Sequence, residues 1–328
     1  MSKNGSATNY QSGCLYALLT AVLLATQGPL SALAAKHLSF SAFICVTQIS
    51  LLLSVPLLTA HGQSRRDFFA LLTNKKNLGQ LAILAMIGLA GLVLYNVGLK
   101  RAHPIIIAAI MNLSPFWAAL VAKIVTRNAL PVSPLLYSLC FAVAFLGAMM
   151  IAWSQTDWKN APLGSLLGSG AWLYAIPIPV FFALSGTLVG KWLSSFDDAA
   201  AIAANFFFSA VLFIPPTFAL AFSDASNADD SKTTAVLLLL IGTLAAAAIG
   251  RVTYQMSLSR TNNDNGFVTM FFLLVPGLSS LISLPLSWFI TDLSFAADTL
   301  FFAGLLLVSA SLAVFSLKSW RRISESST

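Results

Sequence analysis

The sequence predicts an all-α, polytopic membrane protein whose ten transmembrane helices form two inverted five-helix repeats. Three observations carry this expectation. Of 328 residues, 58% are hydrophobic and only 9% are charged, against roughly 25% charged in soluble domains. The apolar residues gather in runs near the roughly 20 residues that cross a hydrocarbon core as a helix. A series of motifs also recurs, in the same order, in the two halves of the chain. The runs are too long for barrel strands and do not alternate polar with apolar residues. Helices are the remaining way to satisfy the backbone in lipid.

Residues 1–12 are polar, carry only Lys3, and read as a short mobile cytoplasmic tail. The run 13–35 resembles a secretory leader at Ala32-Leu33-Ala34. It exceeds a leader's apolar core of roughly 7–15 residues and lacks a strongly basic start, so it reads as the first membrane helix. Gln27-Gly28-Pro29 places a polar, helix-bending step at mid-span. Runs at 40–60, 78–99, 104–126 and 131–153 complete a first repeat over 13–153. A polar, Gly/Ser-rich segment, 154–169, links the halves. Runs at 170–193, 198–222, 233–257, 266–290 and 296–317 make a second repeat over 170–317, and 318–328 is a second cytoplasmic tail.

The repeat rests on paired motifs. Tyr95-x3-Leu-x-Arg101 returns as Tyr254-x3-Leu-x-Arg260, 159 residues later. Pro56 and Pro215 are also 159 apart, Pro115 and Pro276 are 161 apart, and Lys36-x-Leu-Ser returns at Lys191 after 155 residues. Charge then sets the orientation. With the N-terminus inside, 13 of the 18 Lys and Arg residues fall on the cytoplasmic side; only Lys36, Lys100, Arg101, Lys159 and Lys232 fall outside. This is the positive-inside pattern, and it gives the net charge of +7 a topological meaning rather than one of nucleic-acid binding. The loop 61–77 is the clearest single signal, with Arg65, Arg66, Lys75 and Lys76 against Asp67. Five being odd, the second repeat enters the membrane inverted. That is an architecture of secondary transporters, whose sites lie near the midplane between the repeats.

Polar side chains within the predicted helices are the candidate lining of such a cavity: Gln27, Gln48, Tyr95, Asn96, Asn112, Tyr174, Asn205, Arg251, Tyr254 and Gln255. Intramembrane polar groups face protein or water rather than lipid; helix-to-helix bonding is the plainer role for any one of them. Tyr95 and Tyr254 are placed by the repeat near opposite mouths of one pathway, with interfacial anchoring as the alternative. Gly28-Pro29 and Pro177-Ile-Pro179 mark helix breaks at comparable depths, where freed backbone groups can meet a polar substrate or simply form a kink. Gly88-x-x-Gly91 and the Ala-rich run from Gly242 to Gly250 read as close helix contacts. Phe206-Phe207-Phe208 and Phe271-Phe272 read as packing or lipid contact.

No metal site or other cofactor is expected. Cys14, Cys45 and Cys140 lie in apolar runs without ligand spacing, and His37, His61 and His103 lie in predicted loops. The same histidine placement argues against a Ser/His hydrolase, which needs a base within reach of its nucleophile; no enzymatic activity is expected. No Asp or Glu falls at mid-membrane, where proton relays are built. Facilitated export is therefore expected over carboxylate-driven antiport, although Asp198 or Asp264 could be drawn inward.

The span pattern, Tyr95-Asn-Val-Gly-Leu-Lys-Arg-Ala-His-Pro104 and Asn112-Leu-Ser-Pro115 resemble the drug/metabolite transporter superfamily. The likeness is strongest to ten-helix bacterial exporters of the EamA type, and among them to the aromatic amino acid exporter group. It implies an inner-membrane protein with both termini cytoplasmic, whose partners are a small-molecule substrate and lipid, and which exports neutral, aromatic amino acids and related metabolites through a central cavity. The chain departs from the EamA pattern at Gln48, where an Arg is common, and at Thr126-Arg127-Asn128, where a Glu is common; Asp292 stands at the corresponding place in the second half. Other small metabolites or drugs are the alternative cargo. A sugar-phosphate exchanger fits less well, because a dianion calls for several buried cations and Arg251 is the one candidate. A cation exporter would want a buried carboxylate. A lipid scramblase stays open.

Overall fold

The computed structural model describes residues 3–101, 104–111, 113–127, 130, 132–154, 176–223, 230–250, 252–253, 256–257, 275, 278–279, 282 and 298–326. Among them the chain is helical, with no strand. We label the helices α1 (Lys3–His37), α2 (Phe40–Leu58), α3 (Gly62–Thr73), α4 (Lys75–Arg101), α5 (Pro104–Met111), α6 (Ser114–Thr126), α7 (Pro134–Ser154), α8 (Pro177–Trp192), α9 (Asp198–Ser223), α10 (Asp230–Leu244) and α11 (Thr299–Ser326). Seven carry segments long and apolar enough to cross a membrane: Ser12–His37, Phe40–Leu58, Lys75–Arg101, Pro134–Ser154, Asp198–Ala221, Lys232–Ile249 and Thr299–Lys318; α6 is a shorter apolar helix. The chain is a polytopic helical membrane protein.

Several boundaries differ from the sequence reading. The α1 backbone is helical from Lys3, so the first helix reaches into the expected tail, and α11 likewise runs on to Ser326. The predicted loop 61–77 holds α3, whose Ser64, Phe68 and Leu71 are buried on one face. Apolar positions at helical spacing drive this, and a charged opposite face masks it from a search for apolar runs. The single run 104–126 is two helices, α5 and α6, with a turn at Leu113 and proline near the start of α6. Pro115 cannot donate an amide into an unbroken helix but is tolerated in a first turn. At its end α10 widens into a π-turn, Ala245–Ile249. The run 266–290 falls largely outside the described residues, and 170–175 wholly so.

Several hydroxyls of α2 are satisfied within the helix. Thr47, Ser50 and Ser54 on α2 donate to Phe43 O, Val46 O and Leu51 O. Such back-bonding lets a span carry hydroxyls without exposing them to lipid. Ser39 caps α2, accepting the Ala42 amide at 3.3 Å.

The main helix pairings are α2 on α9, α7 on α11, α1 on α10, and α8 on both α6 and α4. Small residues set the closest approaches. A Cβ on Gly147 would lie 2.6 Å from the Gly304 carbonyl oxygen, and one on Gly304 would lie 2.6 Å from the Gly147 carbonyl oxygen. The α7–α11 crossing therefore tolerates only glycine on either side. Gly242 meets Leu30 of α1, and Gly91 and Gly98 meet Phe181 and Ile178 of α8. Gly88, expected to act with Gly91, has open space around it instead. Phe116, Tyr137, Phe141 and Phe315 form an aromatic cluster beside the α7–α11 crossing, tied by the Tyr137 hydroxyl donating to Phe116 O at 2.9 Å. Phe206, Phe207 and Phe208 pack on the apolar cluster of α2, α3, α4 and α9.

Candidate functional site

Five of the ten candidate cavity residues are described: Gln27, Gln48, Tyr95, Asn96 and Asn205. Asn112, Tyr174, Arg251, Tyr254 and Gln255 lie outside the described residues. The five fall in two groups.

The first group joins α2 to α9. Gln48 is buried at mid-length of α2, eight residues from its start and ten from its end. At about 1.5 Å per residue it sits roughly 12–15 Å from either end. Ser209 on α9 donates its hydroxyl to Gln48 Oε1 at 2.9 Å. Asn205 lies one turn before Ser209, on the same side of α9, and its Oδ1 is buried without a hydrogen-bond partner. The sequence reading missed Ser209. Its spacing of 161 residues from Gln48 differs from the 159 of Pro56 and Pro215 on the same two helices, so no repeat offset singled it out.

The second group joins α1, which carries Gln27, to α4. The Tyr95 side chain is half-buried and packs against the apolar cluster shared by α1, α2, α4 and α5. Its neighbour Asn96 is fully buried, and among the described residues neither its Oδ1 nor its Nδ2 has a hydrogen-bond partner. Two residues on, Gly98 is packed against Ile107 of α5 and Ile178 of α8, at 3.0 and 3.5 Å from an added Cβ. Asn96 is thus carried on the part of α4 where α5 and the Pro177–Pro179 turn of α8 close in.

The two helix-break positions behave differently from each other. Helix α1 continues through Pro29. Proline deprives the carbonyl four residues earlier, that of Ala25, of its helical donor. Ser279 supplies the replacement, donating its hydroxyl to Ala25 O at 2.9 Å. The group freed by Pro29 is consumed inside the protein and is not on offer to a substrate. Pro177 and Pro179 instead stand at the start of α8, a position that proline tolerates. Thr20 of α1 similarly pairs with Thr253 at 2.8 Å.

Electrostatically the described interior is neutral. Each described Asp, Glu, Lys and Arg lies on α3, in a turn, in the last turn of α6 or α8, or within about one turn of or beyond the end of a membrane span. What the spans present is amide and hydroxyl chemistry: Gln48, Asn96, Asn205, and the buried Thr243 hydroxyl, also without a partner. Such groups can donate to and accept from a polar, uncharged or zwitterionic solute. They cannot neutralise a dianion.

Comparison with known proteins agrees with this class. Residues 11–153, from α1 through α7, match the EamA-like transporter family. The match, over less than half of the chain, suggests a membrane transporter of small molecules. No curated protein matches the chain. A protein of known crystal structure is similar in fold, with a TM-score of 0.59 and 17% identity over 96% of this chain and 98% of that one.

Proposed function

We propose that the chain exports neutral amino acids, aromatic ones foremost, and related metabolites across the bacterial inner membrane, by alternating access through a cavity between two inverted five-helix repeats. The observation that carries the reading is Asn96: a carboxamide buried with both polar atoms unpartnered. A group desolvated at such expense is retained where a ligand satisfies it. One donor and one acceptor side by side suit a neutral or zwitterionic solute. The same amides would serve other small polar metabolites or drugs, which are the second reading.

The packing pattern supports the inverted repeat. Exchanging the halves turns the α1–α10 pair into α8–α4 and maps α2–α9 and α7–α11 onto themselves. The reciprocal Gly147 and Gly304 contacts have the self-complementary form a two-fold axis requires. Two modules related in this way can rock about Gln48–Ser209 and expose one site to each side in turn.

The test is efflux of radiolabelled Phe, Tyr, Trp, Thr and Met, with neutral drugs alongside, from vesicles holding the purified protein. Saturable efflux of the aromatic set, lost in Asn96→Leu, is expected. Saturable efflux of the drugs alone would favour the second reading; no saturable flux of anything in the panel would end both. Stoichiometric proton movement under an imposed pH gradient would overturn the facilitative mechanism.

A further inference from the structure

We propose that α3 and the start of α4 form a docking face for anionic lipid headgroups. The helix joins two candidate spans, leaving α2 at Leu58 and entering α4 at Lys75, so it lies at the membrane surface. Its inner face is fixed: Ser64, Phe68 and Leu71 are buried, and the Phe68 ring meets Phe207 of α9 edge-on at 5.7 Å. Asp67, the one acid in this segment, is turned to the protein as well. It accepts the Asp197 amide at 2.8 Å and the Gln63 side chain at 2.9 Å.

The outer face has no such partners. Arg65, Arg66, Lys75 and Lys76 are exposed, and among the described residues none of their side chains has a hydrogen bond or an ion pair. Phe69 follows Arg65 by four positions and Arg66 by three, so it stands one turn from both, and it is 59% exposed. An aromatic ring bare to water one turn from two guanidinium groups is poorly placed in solution. It is well placed at a lipid boundary, where the ring enters the headgroup–acyl region and the cations meet phosphates. Arginine's planar fork binds phosphate through two parallel hydrogen bonds. A cluster of basic residues beside a span attracts anionic lipid, each strengthening association about fivefold near the surface. The charge of the patch and its apolar centre together select a lipid surface over a free anion, which would need only the charge.

Native mass spectrometry of the full-length protein in neutral detergent tests this, by counting phosphatidylglycerol and phosphatidylcholine bound from equimolar mixtures. Wild type should favour phosphatidylglycerol by about tenfold or more. R65Q/R66Q/K75Q/K76Q should reduce the preference to within about twofold, whereas R65K/R66K should keep most of it, since it keeps the charge. Phe69→Ser should weaken binding of both lipids. These side chains are exposed, so an unchanged unfolding temperature shows that each variant is folded. Absence of preference in wild type, or its persistence in the fourfold variant, would overturn the proposal. So would displacement of the lipid by glycerol phosphate at matched ionic strength and equal concentration, which would mark a general anion site.

Discussion

Replacing Asn96 with leucine should make the protein more stable and less active. The two residues are similar in size, so the change removes a carboxamide without opening a large cavity. Both amide atoms are buried and unpartnered, and each such group costs about 1–3 kcal/mol to hold out of water. Side-chain hydrogen bonds measured inside membrane proteins average only about 0.6 kcal/mol, because the unfolded reference finds partners in lipid as well. The lower end is therefore the better guide, and a net gain of about 1–2 kcal/mol for Asn96→Leu is expected. The assay is thermal unfolding in detergent, with and without substrate. Wild type at a substrate concentration of about 100 Kd should gain about 2.7 kcal/mol. The variant should start higher and gain little. Stability bought at the expense of a ligand-satisfied polar group is the usual trade at a functional site. A variant that unfolds at lower temperature, yet responds to substrate as wild type does, would refute the reasoning. Asn96 would then be a structural residue whose partner lies elsewhere.

Four other outcomes follow from particular contacts. Gly147→Ala or Gly304→Ala should destabilise by at least about 1–3 kcal/mol through a forced helix separation, read as a lowered unfolding temperature; Gly88→Ala, with nothing within 4 Å of an added Cβ, should be neutral or mildly stabilising. Ser209→Ala should cost about 1–2 kcal/mol by orphaning Gln48 Oε1, and adding Gln48→Leu should recover part of that loss in a double-mutant cycle. Ser279→Ala should cost about 1 kcal/mol in wild type but less in a Pro29→Ala background, where a restored helix amide can serve Ala25 O; equal cost in both would sever the two residues. Reporter fusions at the two ends of the chain should both give cytoplasmic signals, and ends on opposite faces would exclude ten spans.

How much of the site was legible depended on the kind of residue. Gln48, Asn96 and Asn205 announced themselves, because a carboxamide within an apolar run is rare and desolvation makes it conspicuous. Ser209 did not. Serine is common in such runs and usually bonds to its own helix, as Ser50 and Ser54 do, so nothing local set it apart. Pro29 was legible as a freed carbonyl, but not its fate, since the donor Ser279 lies 254 residues away from Ala25. The helix α3 was read as a loop because its charged face lowers the mean hydropathy that a search for spans relies on.

By itself the sequence determined the class of protein and the placement of most spans. Transfer of backbone and side chains into lipid is a local cost, summed along a run of residues, and composition suffices to evaluate it. Tertiary structure decided which polar groups are used up and which stay unpaired. Gln48 found Ser209, Ala25 found Ser279, and among the described residues Asn96 found none. Those outcomes hang on which helices touch, and at Gly147 and Gly304 on approaches that a single methyl group would forbid. They are properties of pairs of distant residues, which no run of the sequence contains.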